Sequence, residues 1–223
     1  MAMEEKNIKI SLEKAWSWYN SGNSELVSLA LSVFLEPELK GYWRGIKTYE
    51  DACKVLGVPK EPEEELMEIN NISPSIQAAV IMSYRIGIIR SALNGNWHPS
   101  LLESGENKTW YPKVFLYTDE ALSQIRQGHS GGHLGSSLRI SVEGIVYYVV
   151  SDTKDSLGEK EEYRDRPEHP LPENGLPLDM YRGLFGCKSE EIAQHFGKYF
   201  TREIVNAAFA MDYGIPGSYK WID

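Results

Sequence analysis

The residues of this 223-residue chain with the most overt chemical potential lie in one glycine-rich stretch, GHSGGHLGSS at 128–137. Gly128-His129-Ser130-Gly131-Gly132 matches G-x-S-x-G, in which a sharp strand-to-helix turn exposes a serine as a nucleophile. Its flanks run the wrong way, with the polar, helix-like EALSQIRQ before it and the strand-like SSLRISV after it. A Ser-His-Asp arrangement with His169 or His195 as base stays open, since triads are defined by geometry rather than chain order. The bland reading is a loop, because glycine is the default residue for irregular turns. His129 and His133 are four residues apart, which on a helix would offer two imidazoles to one metal ion. The intervening Ser130, Gly131 and Gly132 argue against that helix, and no nearby cysteine or acidic residue completes a ligand set, so neither metal nor cofactor is expected.

Trp97, Trp110 and Tyr111 are the other candidates, as aromatic faces on which a sugar or a base stacks. Aromatic residues near strands are more often core, and the case for binding rests on the Asn-, Gly- and His-rich loops around them. Adjacent carboxylates such as Asp119-Glu120 or Glu161-Glu162 point apart in regular structure, so the spacing assigns them no acid–base role.

Helix signals fill the first half of the chain. Ser11 opens a segment that Gly22 ends, and Asn23 or Ser24 caps the next, with Leu26, Leu29, Ala30 and Val33 as its expected buried face and Pro37 as its close. After an aromatic loop at 41–45, Thr48 and Asp51 are spaced as a variant capping box and Gly57 terminates that helix. Ser73-Pro74 starts the longest helix, which Asn94-Gly95 ends. From Trp97 the composition turns aromatic and β-branched. A strand is expected at 110–118, pushed toward a sheet edge by Pro112, then one or two helical turns at 119–126. A hairpin follows at 138–151 with Glu143-Gly144 as its turn. Charged, proline-bearing 152–177 reads as a long loop, and 178–185 as a last strand.

The clearest amphipathic helix lies at 184–211. Ser189 caps it, Glu190 and Glu191 complement its positive end, and Ile192, Phe196, Phe200, Ile204 and Ala207 recur at helical spacing. Gly197 lies inside it at a cost of about 1 kcal/mol relative to Ala, which the close approach of another backbone would explain. His195, beside the stripe, reads as a surface or boundary residue. Helices, then strands, then a helix favour α+β, with the N-terminal helices and the C-terminal helix packed on a small antiparallel sheet in a single domain, 1–223.

The formal net charge of −9 argues against nucleic-acid or anionic-membrane partners, and no Lys/Arg cluster is visible along the chain. Acidic 60–68 reads as a solvated connector. Two cysteines, Cys53 and Cys187, favour a reducing, cytoplasmic setting, and no apolar run approaches the roughly 20 residues of a membrane span.

The blocks IKTYEDACKVLG, YRIGIIRSALNGNWHP, KTWYP and FGCKSEEIAQHFGKYF, in this order, resemble a family of single-domain proteins from bacterial phages and mobile elements. They cover about a third of the chain, and the last is the most specific. The resemblance implies an α+β organisation and a phage or prophage setting, and brings no catalytic residue. The insertion at 116–180 departs from the family pattern and holds most of the candidate chemistry. GHSGGHL also resembles the GxSGGxL segment of trypsin-like serine proteases. That family is all-β and needs an upstream histidine and aspartate, whereas here only His98 lies far upstream, among helices. The reading that follows is a non-enzymatic binding or protein-interaction module, with a protein as the partner class left open and a serine hydrolase using Ser130 as the alternative.

Overall fold

The computed structural model describes residues 10–60, 73–95, 97, 109–121, 123, 138–155, 176–177, 185–213 and 219–222. Local sequence chemistry sets most element boundaries. Helix α1 (Leu12–Tyr19) begins where Ser11 accepts a hydrogen bond from the Lys14 N–H, and α2 (Ser24–Val33) where Asn23 accepts from Glu25 and Leu26. In α4 (Tyr49–Leu56) Thr48 and Asp51 exchange the two bonds of a capping box, and Gly57 closes the helix at φ 67°. Ser73 caps α5 (Pro74–Asn94), with Pro74 at its first position.

Pro37 opens a helix instead of ending one. It occupies the first turn of α3 (Glu36–Gly41), where an N–H would lack an intrahelical partner, and the Glu38 carboxylate accepts from the Leu35 N–H. The expected aromatic loop then continues as a 3₁₀ turn, Tyr42–Gly45. The face expected to bury α2 is also corrected: of its residues only Ala30 is buried, and Leu29, Leu31 and Val33 are exposed.

The sheet is antiparallel throughout, in the order β4-β1-β3-β2-β5, built from β1 (Trp110–Tyr117), β2 (Arg139–Val142), β3 (Ile145–Asp155), β4 (Leu176–Pro177) and β5 (Tyr219–Ile222). Pro112 is tolerated because the β4 ladder reaches only Phe115 and Leu116 on that side of β1. Glu143 and Gly144 form the β2–β3 turn at φ 51° and 86°, the left-handed pair a two-residue hairpin requires. Strand β3 runs four residues past the expected hairpin, because 152–155 pair with 110–113 of β1. The strand expected at 178–185 falls largely outside the described residues.

The expected single terminal helix is two. Helix α6 (Glu190–Tyr199) stops at Phe200, whose φ −119° and ψ 24° leave the helical region, and α7 (Thr201–Ala208) restarts at once before a π-turn, Phe209–Tyr213. Thr201 supports the break by donating its hydroxyl to the Gly197 carbonyl oxygen. Breaking there turns Phe196 and Phe200 edge to face, with ring centroids 5.8 Å apart, and both rings are fully buried. Strand β5 docks onto α7 through Asn206, whose Oδ1 accepts from Tyr219 Oη at 2.6 Å and Trp221 Nε1 at 3.0 Å.

The architecture is α+β. Helix α6 lies on β1 and β3, while α5 packs chiefly on α4, α7 and the π-turn. The main core joins Ile86, Ile89 and Leu93 of α5 to Val114 and Leu116 of β1 and to Ile192 and Phe196 of α6. A satellite core of Trp16, Ala30 and Leu39 ties α1–α3 together, and Val55 of α4 touches both clusters. By length and composition alone α5 could cross a membrane, its most apolar 18-residue window having a mean hydropathy of 1.2, a property it shares with the core helices of folded domains. Its C-terminal half, from Ile86 to Leu93, is spent in the main core.

Candidate functional site

Of the candidate residues, only Trp97, Trp110, Tyr111 and His195 fall among the described ones. His129, Ser130 and His133 lie outside the described residues, as does His169. Tyr111 is buried in the main core, and Trp110 is half-buried against it, its backbone exchanging two hydrogen bonds with Cys187. Trp97 is half-buried just beyond the C-terminus of α5. Among the described residues no group of three His, Cys, Asp or Glu side chains gathers as a metal site would require.

The residues that do converge flank Trp43. This indole sits in the 3₁₀ turn between α3 and α4, is buried, and meets the edge of the His195 ring at a centroid distance of 5.1 Å. His195 is buried as well, which corrects its expected surface position. Its Nε2 lies 2.6 Å from the Ile46 carbonyl oxygen. A carbonyl only accepts, so Nε2 carries the proton. Burial holds the imidazole below the usual histidine range despite that hydrogen bond, and the charges of Lys47, Lys198 and Arg44 push the same way.

Those three cations form a shelf on the outer side of His195. Tyr199 packs on His195 at 4.5 Å, and the ammonium groups of Lys47 and Lys198 each lie 5.2 Å from the centre of the Tyr199 ring. The Arg44 guanidinium lies 4.7 Å from the centre of the Trp43 ring and pairs with Glu191 at 3.1 Å. Cation–π contacts of this exposed kind contribute about 0.5–1 kcal/mol each, enough to bias the lysines toward the ring. Among the described residues no carboxylate forms an ion pair with Lys47 or Lys198. Lys47 and Lys198 are 151 positions apart, which is why no basic cluster shows along the chain.

On the other side of Trp43 lies a half-open cleft of about 330 Å³, walled by Trp16, Tyr19, Leu39 and Ile192 and reached by Lys40 and Lys188. Lys40 is neutralised by Glu36 at 2.9 Å, and Glu36 also accepts from the Tyr19 hydroxyl. Lys188 is exposed as a residue, yet its ammonium turns back to donate to the Asn94 carbonyl oxygen at 3.0 Å, and desolvation holds it below the usual lysine range.

Comparison of the chain with protein-family models, with curated proteins and with solved structures gave no match. The shelf and the cleft therefore have to be read from their own chemistry. Lys40, Trp43 and Arg44 fall within one short stretch, but nothing local to that stretch indicates that α6 completes both surfaces.

Proposed function

We propose that this protein is a non-enzymatic interaction module whose shelf of Arg44, Lys47 and Lys198 receives an acidic segment of a partner protein. The observation that carries the reading is the gathering of two ammonium groups, neither in an ion pair with a carboxylate among the described residues, around one partly exposed tyrosine ring, on a chain whose net charge is −9. Like charges held together cost Coulomb energy, which a short run of partner carboxylates would relieve. A short segment touches only the shelf. Nucleic acid, with a phosphate charge about every 1.7 Å of duplex, would extend over the acidic remainder of the surface and be repelled. The phage or mobile-element setting rests on the sequence blocks named above, and the cytoplasmic location on cysteine usage.

The test is titration of the purified protein with a glutamate-rich peptide, by calorimetry, at low and high salt. Saturable binding that weakens with salt, and that Lys47→Glu and Lys198→Glu each reduce several-fold, is the expected result. Absence of binding, or equal binding by the charge-reversed variants, overturns the reading.

A further inference from the structure

Helix α2 presents an apolar face to solvent. Leu29, Leu31 and Val33 are 44%, 42% and 50% exposed, and Leu35, just past the C-terminus of the helix, is 70% exposed. From Leu26 to Leu35 the chain carries no ionisable side chain, in a protein whose net charge is −9. A single exposed leucine is ordinary, but a gathered and uncharged set of them marks a contact surface.

The face also has relief. Ser24, Ser28 and Ser32, four residues apart and all exposed, run along its middle, with Val27 and Leu31 as a row on one side and Leu29 and Val33 on the other. The serines form a shallow groove between two apolar ridges. Its floor needs no outside partner, because Ser28 Oγ donates to the Ser24 carbonyl oxygen at 2.9 Å and Ser32 Oγ to the Leu29 carbonyl oxygen at 2.7 Å. Ridges and a groove that both follow the four-residue repeat are complementary to themselves: each helix sets a ridge into the other's groove when the two cross at about 50°.

Charge selects the occupant. Two copies of a chain at −9 repel one another in most orientations, and across the α2 face they meet without apposing carboxylates. Glu25 stands at the N-terminal end of the helix. Beyond the C-terminal end Glu36 is paired with Lys40, and Glu38 accepts from the Leu35 N–H. A crossing centred on Ser28 keeps all of these away from the contact. The exposed side chains amount to on the order of a few hundred Å² per copy, less than the roughly 800 Å² of a standard interface, so the contact is weak and depends on concentration.

We propose that α2 is a self-association surface, on which a second copy of this chain packs its own α2 across a two-fold axis near Ser28. Closed two-fold pairs are the commonest symmetric assembly, and they require a face that fits itself. This surface shares no residue with the Lys47–Lys198 shelf, so failure here and failure of the peptide titration are separate results.

The experiment is sedimentation velocity on the intact protein from about 1 μM to about 1 mM, the range in which a contact of this size shows itself. Monomer at the dilute end and a growing dimer fraction toward the concentrated end are expected. Leu31→Glu sets like charges against each other in the two-fold contact and is expected to weaken the dimer roughly tenfold or more. Ile76→Glu, which puts the same charge on a residue of α5 that is 54% exposed, is expected to leave the dimer within about twofold of wild type. Both substitutions fall on exposed side chains, and the wild-type series decides the question even if one of them fails to fold. Monomer throughout the range, which would leave the face to a different partner, overturns the proposal, and so does a dimer that Leu31→Glu leaves intact.

Discussion

Asn94 and Lys188 hold each other twice. Asn94 Oδ1 accepts from the Lys188 backbone N–H at 2.9 Å, and Lys188 Nζ donates to the Asn94 carbonyl oxygen at 3.0 Å. The second bond places a cation at the C-terminus of α5, where the helix dipole favours it and an unpaired carbonyl needs a donor. Asn94 Nδ2 completes the joint by donating to the carbonyl oxygens of Arg90 and Gly186. One fully buried amide thus fastens the chain entering α6 to the end of α5, across more than 90 residues of sequence.

Asn94→Ala is accordingly expected to destabilise the protein by about 2–4 kcal/mol, because it strands a buried carbonyl and an N–H as well as removing side-chain bonds. Urea unfolding of the variant beside wild type measures it. A loss under about 0.5 kcal/mol, the range of ordinary surface substitutions, would mean that the joint does not hold α5 to α6.

The β2–β3 turn offers a change in the opposite direction. Glu143 holds φ 51°, a conformation asparagine adopts more readily, and Gly144 already follows it. Glu143→Asn is expected to stabilise by about 0.5–1 kcal/mol, visible as a raised Tm. An unchanged or lowered Tm would count against the turn.

His195 gives the fold a pH dependence of predictable sign. Its native pKa lies below the unfolded value of about 6.5, so the unfolded chain binds the proton more tightly. Its contribution is fully present above pH 6.5 and is lost as pH falls below that value toward the depressed native pKa. Glu203, raised above its usual value by burial, contributes with the opposite sign near acid pH, so wild type alone mixes the two. Comparing wild type with His195→Gln in urea, at neutral pH and near pH 5.5, isolates the histidine. The variant should lose less stability on acidification than wild type, and equal losses would contradict the assignment.

Cys53 and Cys187 are both buried, and burial pushes the Cys187 thiol up to about 12. Since the thiolate is the reacting species, Cys187 should resist a thiol reagent at mildly alkaline pH. Mass spectrometry should find it unlabelled in native protein and labelled after denaturation. Rapid native labelling at Cys187 would show that the Trp110–Cys187 bridge opens readily.

Most of what the sequence determined by itself was local. Ser11, Asn23, Thr48, Ser73 and Ser189 cap the helices they were expected to start, and Gly57 and Gly144 take the left-handed conformations their turns demand. The α+β class followed from the order of these elements. Such features are legible because caps and turns are decided by side chains within three or four residues of the backbone they satisfy.

Tertiary structure decided the rest, where a residue's role depends on what lies across from it. Pro37 reads as a helix stop in the sequence, yet it stands in the first turn of α3, whose Leu39 packs into the satellite core. The periodicity of 189–208 continues through Phe200, and only the packing of the buried Phe196 and Phe200 rings accompanies the break there. The amphipathic pattern of α2 promised a buried stripe, but a stripe is buried only if a facing surface exists, and among the described residues Leu29 and Val33 stay exposed. The shelf and the cleft are the extreme case. Each joins residues 40–47 to residues 188–199, and charge or aromatic clustering across about 150 positions leaves no mark in spacing, because it is created by the docking of α6 beside Trp43.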